Sequence, residues 1–166
     1  MRPIREMLDA RQGRTRFHMP GHKGRLGPVD PARDVTELLG TDDLYAPSGA
    51  IAEAAKLLSK SCGAGASILL TGGATAGMHA MALALLRPGD RLLMKRSAHH
   101  SALSACALAG AEPVFVPPDA DLADAARELR PDAVLVTRPD YFGRVEELPD
   151  AGVPVLVDAA HGAHFN

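Results

Sequence analysis

The chain has 166 residues, 46% of them hydrophobic, enough length and apolar content for one ordinary packed domain. Eighteen Lys plus Arg stand against 20 Asp plus Glu, which argues against both a broad basic face for nucleic acid and an acidic solvating tail. The most apolar stretch, residues 78–86, is about half the length of a membrane span, and Cys62 and Cys106 lack a CxxC spacing, so a cytoplasmic protein with two unpaired core thiols and no membrane or nucleic-acid partner is expected.

In residues 3–11, Ile4, Met7 and Leu8 fall at helical spacing and Gly13 follows, which predicts a short amphipathic helix. Residues 15–47 contain Pro20, Gly21, Gly24, Gly27, Pro28, Pro31 and Gly40, a punctuation that leaves no room for long regular elements and predicts an extended arm. Helix and arm form the first expected division, residues 1–48. Residues 49–166 form the second, where the pattern becomes an alternation. Helices are expected over 50–58, 75–86, 99–109 and 122–129, with strands over 67–70, 91–94, 113–116, 133–136 and 153–157. The strands SILL, AVLV and VPVLV are continuously apolar, as in a mostly parallel sheet covered on both faces. The fold class is therefore α/β, a three-layer α/β/α arrangement.

Three segments carry candidate chemistry. Leu69-Leu70-Thr71-Gly72-Gly73-Ala74-Thr75-Ala76-Gly77 runs from an apolar stretch through glycines into a helix, so free amides and the helix dipole converge at a point suited to a phosphate. A mere tight connection is the competing reading. Asp158, in Val157-Asp158-Ala159-Ala160-His161-Gly162-Ala163-His164, lies at the C-terminal end of the last strand, where open α/β sheets bind ligands, although it could equally cap the next turn. His99 and His100 follow another strand end. A flat, anionic, phosphorylated pyridine would use all three segments: amides for the phosphate, an imidazole against the ring and a carboxylate at the ring nitrogen. A metal-dependent hydrolase using Asp158, His161 and His164 is a second reading, and a non-catalytic truncated module a third.

Arg16-Phe17-His18-Met19-Pro20-Gly21-His22-Lys23-Gly24 closely resembles the PGHKG signature of the pyridoxal-phosphate-dependent ornithine/lysine/arginine decarboxylases. The resemblance continues through Asp34-Val35-Thr36-Glu37-Leu38, Gly40-Thr41-Asp42-Asp43-Leu44, the glycine segment at Thr71 and residues 158–165. It implies part of an aspartate-aminotransferase-like large domain and decarboxylation of lysine, ornithine or arginine, a lyase reaction of amino-acid metabolism and polyamine biosynthesis. It further implies that Ala74 and Thr75 bind the cofactor phosphate, that His99 stacks on the pyridine and that Asp158 pairs with its nitrogen. Ala160 would pack against the ring and His161 would reach its phenolic oxygen. His22, Lys23, Glu37, Asp42 and Asp43 are substrate-side candidates, with helix capping and solvated surface the alternative for the three acids.

The segment Arg96-Ser97-Ala98-His99-His100-Ser101 departs from the family's Arg-Asn-x-His-Lys-Ser, and Ala159 stands where Glu is usual. The family's Schiff-base lysine lies in a Ser-x-His-Lys segment beyond the position of Asn166. Lys23, Lys56, Lys60 and Lys95 each belong to other segments, so this chain is expected to be inactive alone. A homodimer is expected for the full-length enzyme.

Overall fold

The computed structural model describes residues 2–25 and 31–163. They form two compact units, Met1–Leu69 and Leu70–Asn166. In the first unit, helix α1 (Pro3–Asp9) begins on a proline, whose missing N–H costs nothing in a first helical turn. The arm that follows contains a 3-10 turn at Pro31–Arg33 and an isolated bridge between Leu39 and Thr41. Helix α2 (Ala50–Cys62) ends where Gly63 takes a left-handed conformation (φ 64°), which releases the chain from the helix.

The strand expected over 67–70 is not formed. Ile68 and Leu70 are 80% and 51% exposed, and the described residues contain no ladder partner for this segment. Consecutive apolar residues encode a demand for burial, whereas a strand also needs a neighbour to accept its hydrogen bonds. Cys62 is likewise exposed at the end of α2, in contrast to the core position expected for it. Cys106 is buried, and loss of hydration pushes its thiol pKa up.

The second unit runs α3 (Gly73–Leu85), β1 (Arg91–Lys95), α4 (His100–Ala109), β2 (Glu112–Val116), α5 (Leu122–Leu129), β3 (Ala133–Thr137) and β4 (Val155–Asp158). Its four strands lie in the order β2-β1-β3-β4, all parallel. Leu92, Leu93 and Met94 are fully buried, so β1 is covered on both faces. On one face Leu92, Met94, Leu135 and Leu156 pack with Met78 and Ala82 of α3 and with Ala102, Ala105 and Cys106 of α4. On the other, Leu93, Val134 and Val136 pack with Leu122 and Ala126 of α5. The three layers expected from the apolar strands are present.

The connectivity explains the layering. The chain moves outward from β1 to β2, then back past β1 to β3. Right-handed crossovers running in opposite directions put α4 and α5 on opposite faces. The reversal lies between β1 and β3, and at such a point open sheets leave a crevice beyond the strands' C-terminal ends. Strand β4 begins later than expected because Pro154 has no N–H to contribute, although its carbonyl still accepts from the Val134 amide (3.0 Å).

Candidate active site

Side chains alternate across a strand, so each strand end inherits a face from the core residue two positions before it. Leu135 and Leu156 face the α3/α4 layer, and Thr137 and Asp158 follow them at register-paired positions. Both therefore end their strands on the same side of the sheet as the N-termini of α3 and α4. Between these four chain ends lies a cavity of about 250 Å³. Ala74, Thr75, His99, Asp158, Ala160 and His161 all line it.

Each wall has a local cause. Helix α3 has Gly72 at its N-cap position with no side-chain cap, and Gly73 takes φ 70°, a left-handed turn that a residue with a Cβ enters only under strain. The first-turn amides, Ala74 and Thr75 among them, thus stand at the cavity with the positive end of a 13-residue helix dipole behind them. Asp158 Oδ1 accepts the Ala160 amide (3.1 Å), and its carbonyl accepts the Arg138 amide (2.9 Å). The following turn packs tightly: a Cβ on Gly162 would lie 2.3 Å from Pro139 Cδ and 2.8 Å from the Arg138 carbonyl oxygen.

His99 occupies the N-cap position of α4. Its Nδ1 lies 3.2 Å from the Ser101 amide and 2.8 Å from Ser101 Oγ, and its Nε2 lies 3.0 Å from His100 Nδ1. The Tyr141 ring lies 6.5 Å from the His99 ring, at an interplanar angle of 27°.

Five lining residues escaped the sequence reading: Ser101, Thr137, Pro139, Asp140 and Tyr141. Thr137 was readable as the residue two beyond Leu135. Asp140 accepts the amides of Phe142 (2.8 Å) and Arg144 (2.9 Å), which closes the loop that presents Tyr141. Pro139-Asp140 followed by Gly143 is the sequence signal for such a turn. Burial would raise the Asp140 carboxyl pKa, but the Arg144 and Phe142 amides and the Arg144 guanidinium outweigh it, and the net shift is downward.

The substrate-side candidates lie in the first unit, engaged as follows. His22 Nδ1 accepts the Gly24 amide (3.0 Å), and its Nε2 is 3.2 Å from Asp34 Oδ2. Lys23, at φ 53°, donates to the His18 carbonyl (2.5 Å). Asp42 caps α2: its oxygens accept the amides of Asp43 (3.0 Å), Ser48 (2.9 Å), Gly49 (2.9 Å) and Ile51 (2.7 Å). Those bonds, the Ser48 amide foremost, lower its pKa to about 2 against the opposing effect of burial. The Thr36 hydroxyl lowers that of Glu37, and Asp43 accepts the Tyr45 amide (2.8 Å).

Lys95 is the one lysine in residues 70–163. Its position alternates with Leu93 and Met94, which puts it on the α5 face, paired there with Glu146. It lines a separate cavity of about 510 Å³ among Asp119, Asp121, Glu146, Glu147 and Asp150. That cavity is larger, but five carboxylates against one paired lysine would repel a phosphate. His164 lies outside the described residues, among which no group of three or more His, Cys, Asp or Glu is disposed to hold a metal.

Residues 3–127 match the family described as Orn/Lys/Arg decarboxylase, major domain. The chain belongs to this family. The cofactor of these decarboxylases is pyridoxal phosphate, in agreement with the resemblance read from the PGHKG segment. Among relatives, the uncharacterized protein YaaO of Bacillus subtilis (strain 168) is 40% identical over 186 aligned positions, covering 94% of this chain and 39% of that protein. An arginine decarboxylase of the same organism is 33% identical over 184 positions, covering 92% and 37%. Among solved structures, the pyridoxal-5'-phosphate dependent protein YhfS from Escherichia coli superposes with a TM-score of 0.54 at 25% identity, over 66% of this chain and 33% of that one. The chain thus spans about two fifths of the length of the curated relatives it matches. The all-parallel α/β sheet belongs to a fold shared with that pyridoxal-5'-phosphate dependent protein. No helix among the described residues is long and apolar enough to cross a membrane.

Proposed function

We propose that this chain supplies the non-covalent half of a pyridoxal-phosphate site in a decarboxylase of basic amino acids. The observation that carries the reading is the convergence of an uncapped helix N-terminus, an imidazole and a strand-end carboxylate on one cavity of about 250 Å³. The residues fit the group. The α3 amides at Ala74 and Thr75 and the Thr75 hydroxyl suit a phosphate. The His99 and Tyr141 rings suit a flat aromatic body, and Asp158 suits a protonated ring nitrogen.

When bound, pyridoxal phosphate supplies an electron sink for the bond broken at the amino acid's α-carbon. Asp158 holds the proton on the ring nitrogen, because a carboxylate in a half-closed cavity favours the cation beside it. Ala160 and His99 would limit water at the ring faces, and His161 would donate to a ring oxygen.

Lys95 points to the opposite face of the sheet, so the covalent lysine of the reaction is not one that residues 70–163 bring to the cavity. We therefore expect no Schiff base at Lys95, and we expect no turnover from this chain alone. The full enzyme is read as a cytoplasmic homodimer, and arginine is the first substrate to test, in view of the relative bearing that name. Equilibrium dialysis against pyridoxal phosphate and against pyridoxal tests the reading. Phosphate-dependent binding that weakens in Asp158→Ala is expected. Equal binding of both compounds, or no loss in the variant, would overturn it.

A further inference from the structure

The Ser101 amide sets the direction of the bonds around His99. The Ser101 amide can only donate, and it points at His99 Nδ1 (3.2 Å), so that nitrogen is an acceptor and the ring proton sits on Nε2. The Ser101 hydroxyl, 2.8 Å from the same nitrogen and on a residue only 2% exposed, donates in the same sense. His99 Nε2–H then has His100 Nδ1 at 3.0 Å as its acceptor. A histidine at position 100 can take this role through an unprotonated nitrogen, which the family's usual lysine cannot, since an ammonium group only donates.

We propose that Ser101 and His100 form a clamp that holds His99 at both ring nitrogens, making it a fixed stacking platform and not an acid or base. The inference rests on the pyridoxal-phosphate reading of the cavity and deepens it. With both in-plane nitrogens occupied by the protein, His99 offers a ligand only its π face, so this wall selects a planar ring. Ser101 and His100 are positioning residues: they act on the ligand through the orientation and tautomer of His99. Partners of this kind behind a metal-ligating histidine are worth about 10–100-fold when removed, and the low end of that range is the effect expected behind a stacking one.

Two measurements on the full 166-residue chain decide the proposal. Long-range proton–nitrogen correlation spectra of the 15N-labelled chain without cofactor read the His99 tautomer directly. The wild type should show Nε2–H with a through-hydrogen-bond coupling to His100 Nδ1, and His100→Ala should lose that coupling while the Ser101 amide keeps the proton on Nε2. A proton on Nδ1 in the wild type, or no coupling between Nε2–H and His100 Nδ1, would overturn the clamp whether or not the cofactor binds. Dialysis against pyridoxal phosphate supplies the second arm. Ser101→Ala should weaken binding about tenfold where His99 is present and have no effect in a His99→Phe background, with Ser101→Thr restoring affinity. An equal loss in both backgrounds would assign Ser101 a purely structural role. The expected tautomer without any cofactor binding would instead leave the clamp standing and count against the function proposed for the cavity.

Discussion

At the scale of single residues, the same chemical type serves opposite purposes in the two units. Asp42 accepts the amides of Asp43, Ser48, Gly49 and Ile51 in the turn that leads into α2, whereas Asp158 accepts one and faces a cavity. Asp158→Asn keeps the shape and removes the charge, so pyridoxal-phosphate affinity should fall about 10–100-fold in dialysis, the range of a charge-assisted bond. The Asp42 carboxyl is depressed to about 2 from an ordinary 3.8, so the folded state prefers its charged form. Its contribution is complete above about pH 4 and disappears as pH falls toward 2. Thermal unfolding of Asp42→Asn should therefore lie below the wild type at pH 5 and converge with it near pH 2. A gap that stays constant over this range would show that the charge is not what α2 uses. The strand-end and glycine positions of the site were legible in the sequence because they follow from periodicity and turn chemistry. Asp42 was ambiguous there, since a capping carboxylate and a substrate-binding one have the same letter.

At the scale of elements, the cavity depends on turns more than on the helices they join. Gly162 sits where a Cβ would meet Pro139 and the Arg138 carbonyl, so Gly162→Ala must displace the turn that carries Ala160 and His161. Cofactor affinity should drop at least tenfold while the helical circular dichroism signal remains, because the packed faces of α3, α4 and α5 are elsewhere. Gly73→Ala tests the other wall. A Cβ there meets open space, so any loss reflects the φ of 70° alone and should be the smaller of the two. The strand expected at 67–70 shows the limit of local reading. Its apolar run is visible in the sequence, but its partner is not a property of those residues.

At the scale of the molecule, the sheet's two faces were the most legible feature and also the most consequential. The continuous apolar run of β3 announces burial on both sides, and truncating Leu156 of the neighbouring β4 to Ala should cost about 2–5 kcal/mol in urea unfolding. What the runs do not announce is which face a neighbouring charged residue takes until the strand's register is known. Lys95 illustrates this, for alternation from Leu93 carries it to the α5 side, into an ion pair with Glu146 that leaves its side chain 13% exposed. A lysine so placed should not form a Schiff base with a cofactor on the α3/α4 side. Borohydride reduction of the chain mixed with pyridoxal phosphate, followed by peptide mapping, should then label the exposed Lys56 and Lys60 at background level and leave Lys95 unmodified. Lys95→Met should bind the cofactor as the wild type does, at some cost in stability from the carboxylate it leaves unpaired. Stoichiometric labelling of Lys95, abolished by competing phosphate, would mean that the cofactor lies on the α5 face, and the functional assignment of the α3/α4 cavity would fail with it.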